Sequence, residues 1–142
     1  TQPPSPDLAR SIWEIMSDFV HRYDPADELR QALALGRGTG RVKALLSLAD
    51  GPLTLAELAQ RIGIDPPYAT IIANELQALG LLARTQDDHD RRRKPVELTA
   101  RGREAVKTAQ DIIARPPSPL SDMPAADLAR LRDLLEQLTP VE

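Results

Sequence analysis

Residues 81–102 read LLARTQDDHDRRRKPVELTARG, and the reading of this stretch decides the fold. Leu81-Leu82-Ala83-Arg84-Thr85 reads as a strand, and Gln86 to Lys94 as a polar, charged loop. Pro95-Val96-Glu97-Leu98-Thr99 reads as a return strand with alternating apolar positions. Two short helices precede the hairpin. Thr54-Leu55-Ala56-Glu57 is a capping box, in which Thr54 accepts from the backbone and Glu57 reaches back. Leu53 and Leu58 stand where a hydrophobic staple belongs, and the helix is expected to bury Leu55, Leu58, Ala59 and Ile62 before ending at Gly63. Asp65 then caps a second helix with Pro66 at its first position, which runs to Leu79 and stops at Gly80, with Ile72, Leu76 and Leu79 on its core side. Helix, turn, helix and a two-stranded hairpin with a basic tip is the layout of a winged helix-turn-helix.

Outward from this centre the sequence is helical. Ser5-Pro6-Asp7 is a helix start, after which Leu8, Ile12, Ile15, Met16, Phe19, Val20 and Tyr23 recur at three- and four-residue steps as one apolar stripe. Asp24-Pro25 repeats the start signal for a second short helix to about Leu35. Gly36, Gly38 and Gly40 make a break that lacks the GK[ST] ending of a phosphate loop. Val42, Leu45, Leu46 and Leu48 mark the next helix, stopped by Asp50-Gly51-Pro52. Beyond the hairpin, Thr99 caps a long helix that Pro116-Pro117-Ser118-Pro119 ends near Ala114, because two prolines inside it would cost several kcal/mol. A last helix from about Pro124 to Leu138 carries Leu128, Leu131, Leu134, Leu135 and Leu138.

Composition narrows the chemistry. The 142 residues include no cysteine, which excludes disulfides, thiolate metal sites, catalytic thiols and cysteine redox sensing. His21 and His89 are too few and too far apart for a histidine metal cage, so neither a metal nor a cofactor is expected. No nucleophile–base pair stands at a plausible spacing, and an enzyme is not expected. Aromatic residues make up 3%, against a base-stacking single-strand binder. No apolar run approaches the length of a membrane span, and no basic-then-apolar leader pattern is visible, so the expected location is cytoplasmic. The net charge of −3 hides its distribution. Residues 1–32 and 108–142 each carry three basic and six acidic groups, whereas residues 84–107 carry eight basic and five acidic. The acidic ends flank one basic island.

Several of these residues coincide with a known motif set. Leu55-Ala56-Glu57-Leu58-Ala59 looks like a first motif helix, Thr70 falls at a usual polar position of a recognition helix, and Leu76, Gly80, Leu81 and Leu82 look like its end and the first wing strand. Asp87, Asp90 and Arg92, followed by Leu98-Thr99 and Gly102, match an acid-x-x-acid-x-Arg…Leu-Thr-x-x-Gly pattern in spacing. In these features the chain, from Leu53 to Val106, resembles the MarR (multiple antibiotic resistance regulator) family of winged-helix transcription factors.

The resemblance implies a mainly α fold with a small two- or three-stranded β-wing. Residues 1–36 and 108–142 would be N- and C-terminal dimerisation helices around a winged helix-turn-helix at 37–107, all in one compact domain. It implies a homodimeric, nucleoid-associated bacterial regulator of double-stranded DNA, a repressor on a pseudo-palindromic operator. It places the recognition helix in the major groove and Arg92 in the minor groove, braced by Asp87 and Asp90. A guanidinium suits the concentrated negative potential of a narrow minor groove. It also implies a small lipophilic or aromatic effector, for which Trp13, Met16, Phe19 and Tyr23 are the candidate lining.

The sequence departs from the pattern in one respect. Its recognition helix contains no Lys or Arg. Base reading therefore falls to Thr70, Asn74 and Gln77, with Ile71 on a thymine methyl and Tyr68 on a phosphate. Glu75 is either an acceptor for a cytosine amine or a hindrance to binding. The remaining contacts fall to Arg84, His89, Arg91, Arg92, Arg93 and Lys94 of the wing. The expectation is modest specificity with no strong guanine requirement under the helix. The alternative is a winged-helix interaction or dimerisation module with weak or no specific DNA binding. The uncharged helix favours that alternative and the wing motif disfavours it.

Overall fold

Local capping chemistry starts several of the helices in the computed structural model, which describes residues 2–36 and 38–139. In α1 (Pro6–Arg22), Ser5 accepts the Leu8 N–H and Pro6 takes the first position. Helix α2 (Ala26–Leu33) starts one residue later than Asp24-Pro25 suggests: Pro25 is the N-cap, and Asp24 Oδ1 accepts the Ala26 N–H at 2.9 Å. It ends before Leu35, where Ala34 turns left-handed with φ 54°. Helix α3 (Gly40–Ser47) runs into a 3-10 turn at Leu48–Asp50. The boundary drawn at residues 36–37 touches Arg37, which lies outside the described residues.

The capping box forms at the head of α4 (Leu55–Ile62), with Glu57 N–H on Thr54 Oγ1 at 3.1 Å. In α5 (Pro66–Ala78), Asp65 Oδ1 accepts the Tyr68 N–H at 2.8 Å. Strands β1 (Leu82–Arg84) and β2 (Val96–Leu98) pair antiparallel, Leu82 opposite Leu98 and Arg84 opposite Val96. Leu53 adds a third, one-residue strand by exchanging two backbone hydrogen bonds with Val96, at 3.1 and 2.8 Å. The strands are shorter than the sequence suggests because their ends serve other purposes. Pro95 has no N–H to return, although its carbonyl still accepts from Thr85. Thr99 caps α6 (Ala100–Ala114), which ends where the prolines require. Ser118-Pro119 opens a further one-turn helix, α7 (Ser118–Ser121), within the proline-rich break and before α8 (Ala125–Glu136).

Two apolar clusters hold this arrangement. Leu45, Leu58, Ile72, Leu76 and Val96 are fully buried where α3, α4, α5 and the sheet meet. Truncating such a leucine costs about 2–5 kcal/mol. Leu29, Val42, Ala109 and Ile112 form the second cluster, between α2, α3 and α6. Within the first 36 residues, then, α2 packs into the body, while α1 buries no residue at all. Helix α8 also buries none. Leu79, expected in the core, is 42% exposed because α5 has ended and it serves as the C-cap. Leu55 and Ile62 are only partly buried.

Gly102 explains the Leu-Thr-x-x-Gly spacing physically. A Cβ on Gly102 would lie 2.1 Å from the Leu81 carbonyl oxygen, so the first turn of α6 sits flush on the start of the wing. Thr99 fastens the same corner, its hydroxyl donating to Gly80 O at 2.6 Å while accepting the Gly102 N–H at 3.0 Å.

Candidate nucleic-acid interface

Helix α5 presents two faces. Ala69, Ile72, Ala73 and Leu76 are buried, which leaves Tyr68, Ile71, Asn74 and Gln77 exposed at helical spacing. Thr70 lies between, half-buried, with its hydroxyl donating to Pro66 O at 3.1 Å. The helix ends in a Schellman motif. Gly80, at φ 78°, donates to Gln77 O, and Leu81 N–H reaches Leu76 O, both at 3.0 Å. This sharp reversal throws the chain directly into β1 and returns Arg84 over the exposed face of α5. There the guanidinium donates to Asn74 Oδ1 at 2.8 Å and to Gln77 Oε1 at 3.2 Å. Arg84, expected among the wing contacts, is thus anchored on the recognition helix.

Glu75 does not share that face. It is ion-paired with Arg41 of α3, Nε to Oε2 at 2.5 Å. The hydrogen bond from Arg41 holds the Glu75 carboxyl below the usual carboxylate range, against an opposing desolvation and with the charge of Arg41 adding to it. The same bond raises Arg41 above its ordinary guanidinium value; burial opposes the rise, and Tyr68 adds to it. Neither sequence expectation for Glu75 describes this arrangement, in which its charge is compensated within the protein. Arg41 lies 34 positions away, and no local pattern signals it.

The four consecutive cations of the wing divide into two sets. Arg93 turns inward, pairing with Glu57 of α4 at 2.6 Å and Asp87 at 3.4 Å. Arg91, Arg92 and Lys94 are exposed, and among the described residues their side chains make no ion pair or hydrogen bond. The expected bracing of Arg92 by Asp87 and Asp90 takes a different form. Asp87 pairs with the Arg93 guanidinium and accepts the His89 N–H at 2.9 Å. Asp90 accepts the backbone N–H of Arg92 at 3.0 Å and leaves its guanidinium unbound. The reason is the turn itself: Arg93 N–H donates to Asp90 O and Arg93 O accepts from Asp87 N–H, which folds Arg93, not Arg92, back onto the acids. His89 is exposed beside them.

The candidate effector residues do not converge. Trp13 is 69% exposed, Met16 and Phe19 are half-buried along α1, and Phe19 stacks at a tilt on Tyr23 with centroids 5.0 Å apart. Of the four, Tyr23 lines a cleft of about 660 Å³, with Asp24, Glu28, Ile112, Arg115 and Pro117 among its other walls. Among the described residues no group of three or more His, Asp or Glu side chains could hold a metal ion, and no helix is long and apolar enough to cross a membrane.

Comparison with known proteins agrees with this geometry. A family model described as the MarR family matches residues 29–93. No curated protein sequence matches the chain. Among solved structures, the YusO protein of Bacillus subtilis is 25% identical with a TM-score of 0.71, covering 95% of this chain and 97% of that one. RV1404 of Mycobacterium tuberculosis is 24% identical with a TM-score of 0.76, covering 97% and 94%. MepR of Staphylococcus aureus, solved as a DNA complex, is 20% identical with a TM-score of 0.61, covering 91% and 99%. The matched stretch runs from the core residue Leu29 through α4 and α5 into the wing, and over it this chain is similar to the MarR family.

Proposed function

We propose that this chain is a double-stranded-DNA-binding transcriptional regulator, not an enzyme, acting as a homodimeric repressor in the bacterial cytoplasm. The observation that carries the reading is the division of the wing: Arg93 is spent internally, while Arg91, Arg92 and Lys94 stand exposed and uncompensated, and α5 exposes a polar face of its own. Such a tip suits a phosphate-lined minor groove, and the exposed α5 face suits the adjacent major groove. The solved DNA complex of MepR, a protein of the same fold, supports it. Compensation of Glu75 by Arg41 weakens the case for an interaction module, since the acid does not oppose the duplex.

The dimer reading rests on α1 and α8. Leu8, Ile12, Trp13, Ile15 and Val20 of α1, with Leu134 and Leu135 of α8 and Leu138 just beyond it, are large apolar side chains left exposed in the single chain. Large apolar side chains exposed in such number on two helices mark an interaction surface. A small effector is best accommodated by the cleft under Tyr23, which joins α1 and α2 to the end of α6. Its occupancy would alter the angle between those helices and so the spacing of the two wings.

Titration of the full chain against genomic fragments at low and moderate salt tests the proposal. A regulator selects particular fragments, and its affinity falls steeply with salt, near −0.9 in log–log slope per phosphate neutralised. Absence of sequence preference at every salt concentration rejects it in favour of the interaction module.

A further inference from the structure

We infer that Arg84, a residue of the wing strand, acts with the recognition helix: together with Asn74 and Gln77 it forms a donor-rich reading head selective for guanine in the major groove. The inference rests on the DNA-binding reading above. It supplies the basic group that α5 lacks in its own sequence.

The chemistry of the three side chains fixes their orientation. A guanidinium has five N–H donors and no acceptor, so the amide atoms facing Arg84 must be the carbonyl oxygens. Both oxygens are thereby turned toward Arg84, at 2.8 Å for Asn74 and 3.2 Å for Gln77, and the two amide NH₂ groups are turned away from it. Arg84 uses Nε and one N–H of Nη2 in these bonds. Its remaining N–H groups have no partner among the described residues, and all three side chains are exposed. The outward surface of the cluster is therefore a set of N–H donors backed by a positive charge.

An isolated asparagine or glutamine reads adenine by offering one donor and one acceptor. Here the acceptor half of each amide is occupied by Arg84. Guanine is the base whose major-groove edge offers two acceptors, N7 and O6, side by side. Cytosine presents its amine, a donor, and is disfavoured; adenine and thymine each offer a single acceptor. Two further features hold Arg84 in place. The Schellman turn at Gly80 fixes the angle between α5 and β1, and a cation near the C-terminal end of α5 is favoured by the helix dipole. A guanidinium held in this way loses little freedom on meeting a base.

The inventory of α5 alone gives no strong guanine requirement under the helix. Arg84 changes it because the hairpin returns a residue seven positions beyond Gln77 to the reading face.

Selection from a random duplex library, with the full chain, tests the inference on wild type, Arg84→Met and Arg84→Lys, all checked for folding by circular dichroism. Wild type enriches guanine over cytosine at one position of each half-site by about tenfold, the order expected of a bidentate base contact. Arg84→Met brings that ratio to within about twofold while leaving preferences elsewhere in the site. Arg84→Lys keeps the charge but, with three donors, cannot hold both amides and still offer two to guanine, and loses the preference as well. Guanine enrichment that survives in either variant overturns the inference. So does a uniform loss of affinity across all sequences in Arg84→Met, the mark of a phosphate contact. A wild-type protein that enriches a sequence without this guanine overturns it while leaving the regulator reading intact, whereas no enrichment of any sequence overturns both.

Discussion

Arg93 in the wing and Glu57 at the head of α4 are joined by an ion pair, Nη2 to Oε1 at 2.6 Å. The same Glu57 oxygen accepts the Thr54 hydroxyl at 2.9 Å, so one carboxylate serves both the capping box and the root of the wing. Each partner of the pair is roughly 40% exposed, which limits its direct contribution to stability to about 0.5–1 kcal/mol. Its larger effect is positional, since it fixes where the loop between β1 and β2 leaves the body.

Two substitutions at Glu57 separate these roles. Gln at the third helical position still completes a capping box. Glu57→Gln should therefore behave like Arg93→Ala, with faster amide exchange across residues 85–95 and little loss of global stability. Glu57→Ala loses the box as well and should cost about 1 kcal/mol more in urea unfolding. Equal stability of the Gln and Ala variants would show that the box contributes nothing.

The exposed wing cations make a contrasting prediction. Arg92→Ala should weaken DNA binding at every sequence and reduce the magnitude of the log–log salt slope by about 0.9. Arg93→Ala should leave the slope near the wild-type value, because its guanidinium is committed to Glu57 and Asp87. Salt titrations by fluorescence anisotropy read both. Identical slopes for wild type and Arg92→Ala would remove Arg92 from the phosphate contacts.

Gly102→Ala tests the corner between α6 and the wing. The added methyl would meet the Leu81 carbonyl at 2.1 Å, and that carbonyl cannot withdraw without releasing the Thr99 N–H it accepts at 3.0 Å. Overpacking against backbone belongs at the upper end of its usual range, about 3 kcal/mol. Chemical denaturation should show that loss, together with weaker protection of Leu82 and Leu98 in the sheet. A loss below about 1 kcal/mol would mean that the corner can open without strain.

These contrasts also show which parts of the molecule its sequence carries openly. Thr54 with Glu57 and Thr99 with Gly102 are readable because a cap and its partner lie within one helical turn. The prolines after Arg115 are equally direct, since a missing N–H ends a helix wherever it falls. Arg84 with Asn74 and Arg41 with Glu75 are not readable, because their contacts depend on the angle of a turn and on packing between α3 and α5. The run Arg91 to Lys94 stands between the two cases. Its charge is evident, but only the hydrogen bonds among Asp87, Asp90 and Arg93 decide which cation folds inward. Trp13, Met16 and Phe19 are only half legible for a related reason: a stripe shows that a face is apolar without showing what covers it.

The Arg41–Glu75 pair predicts an acid-dependent stability. The hydrogen bond from Arg41 lowers the folded-state value of Glu75 relative to the unfolded chain. A depressed carboxylate contributes stability above its unfolded value, near pH 4.3, and loses it as pH falls through the folded value. Arg41 is raised, so its share is complete at every pH below the guanidinium range and does not vary under these conditions. Glu75→Gln should therefore be less stable than wild type at pH 7, and the difference should narrow below pH 4 as wild-type Glu75 takes up its proton. Urea midpoints at pH 7, 4 and 3 measure it. A difference that stays constant down to pH 3 would show that the Glu75 carboxylate gains nothing from Arg41.

The exposed face of α1 gives the last prediction, which concerns assembly. Ile12 and Ile15 are 53% and 64% exposed, and no residue of α1 is buried within its own chain. Charges placed there meet no intramolecular neighbour that they would displace, so the folded chain should tolerate them. In a dimer packed through α1 they would be buried without partners, at a cost of several kcal/mol per charge. Ile12→Asp combined with Ile15→Asp should therefore sediment as a monomer at concentrations where wild type is dimeric. The melting temperature of wild type should rise with protein concentration, because association with the native state stabilises it by mass action. That dependence should vanish in the double variant, while its circular dichroism stays helical. Affinity for a two-half-site duplex should fall toward that for a single half-site. A double variant that still sediments as a dimer would move the interface away from α1 and leave α8, with Leu134, Leu135 and the adjacent Leu138, as the surface to substitute next.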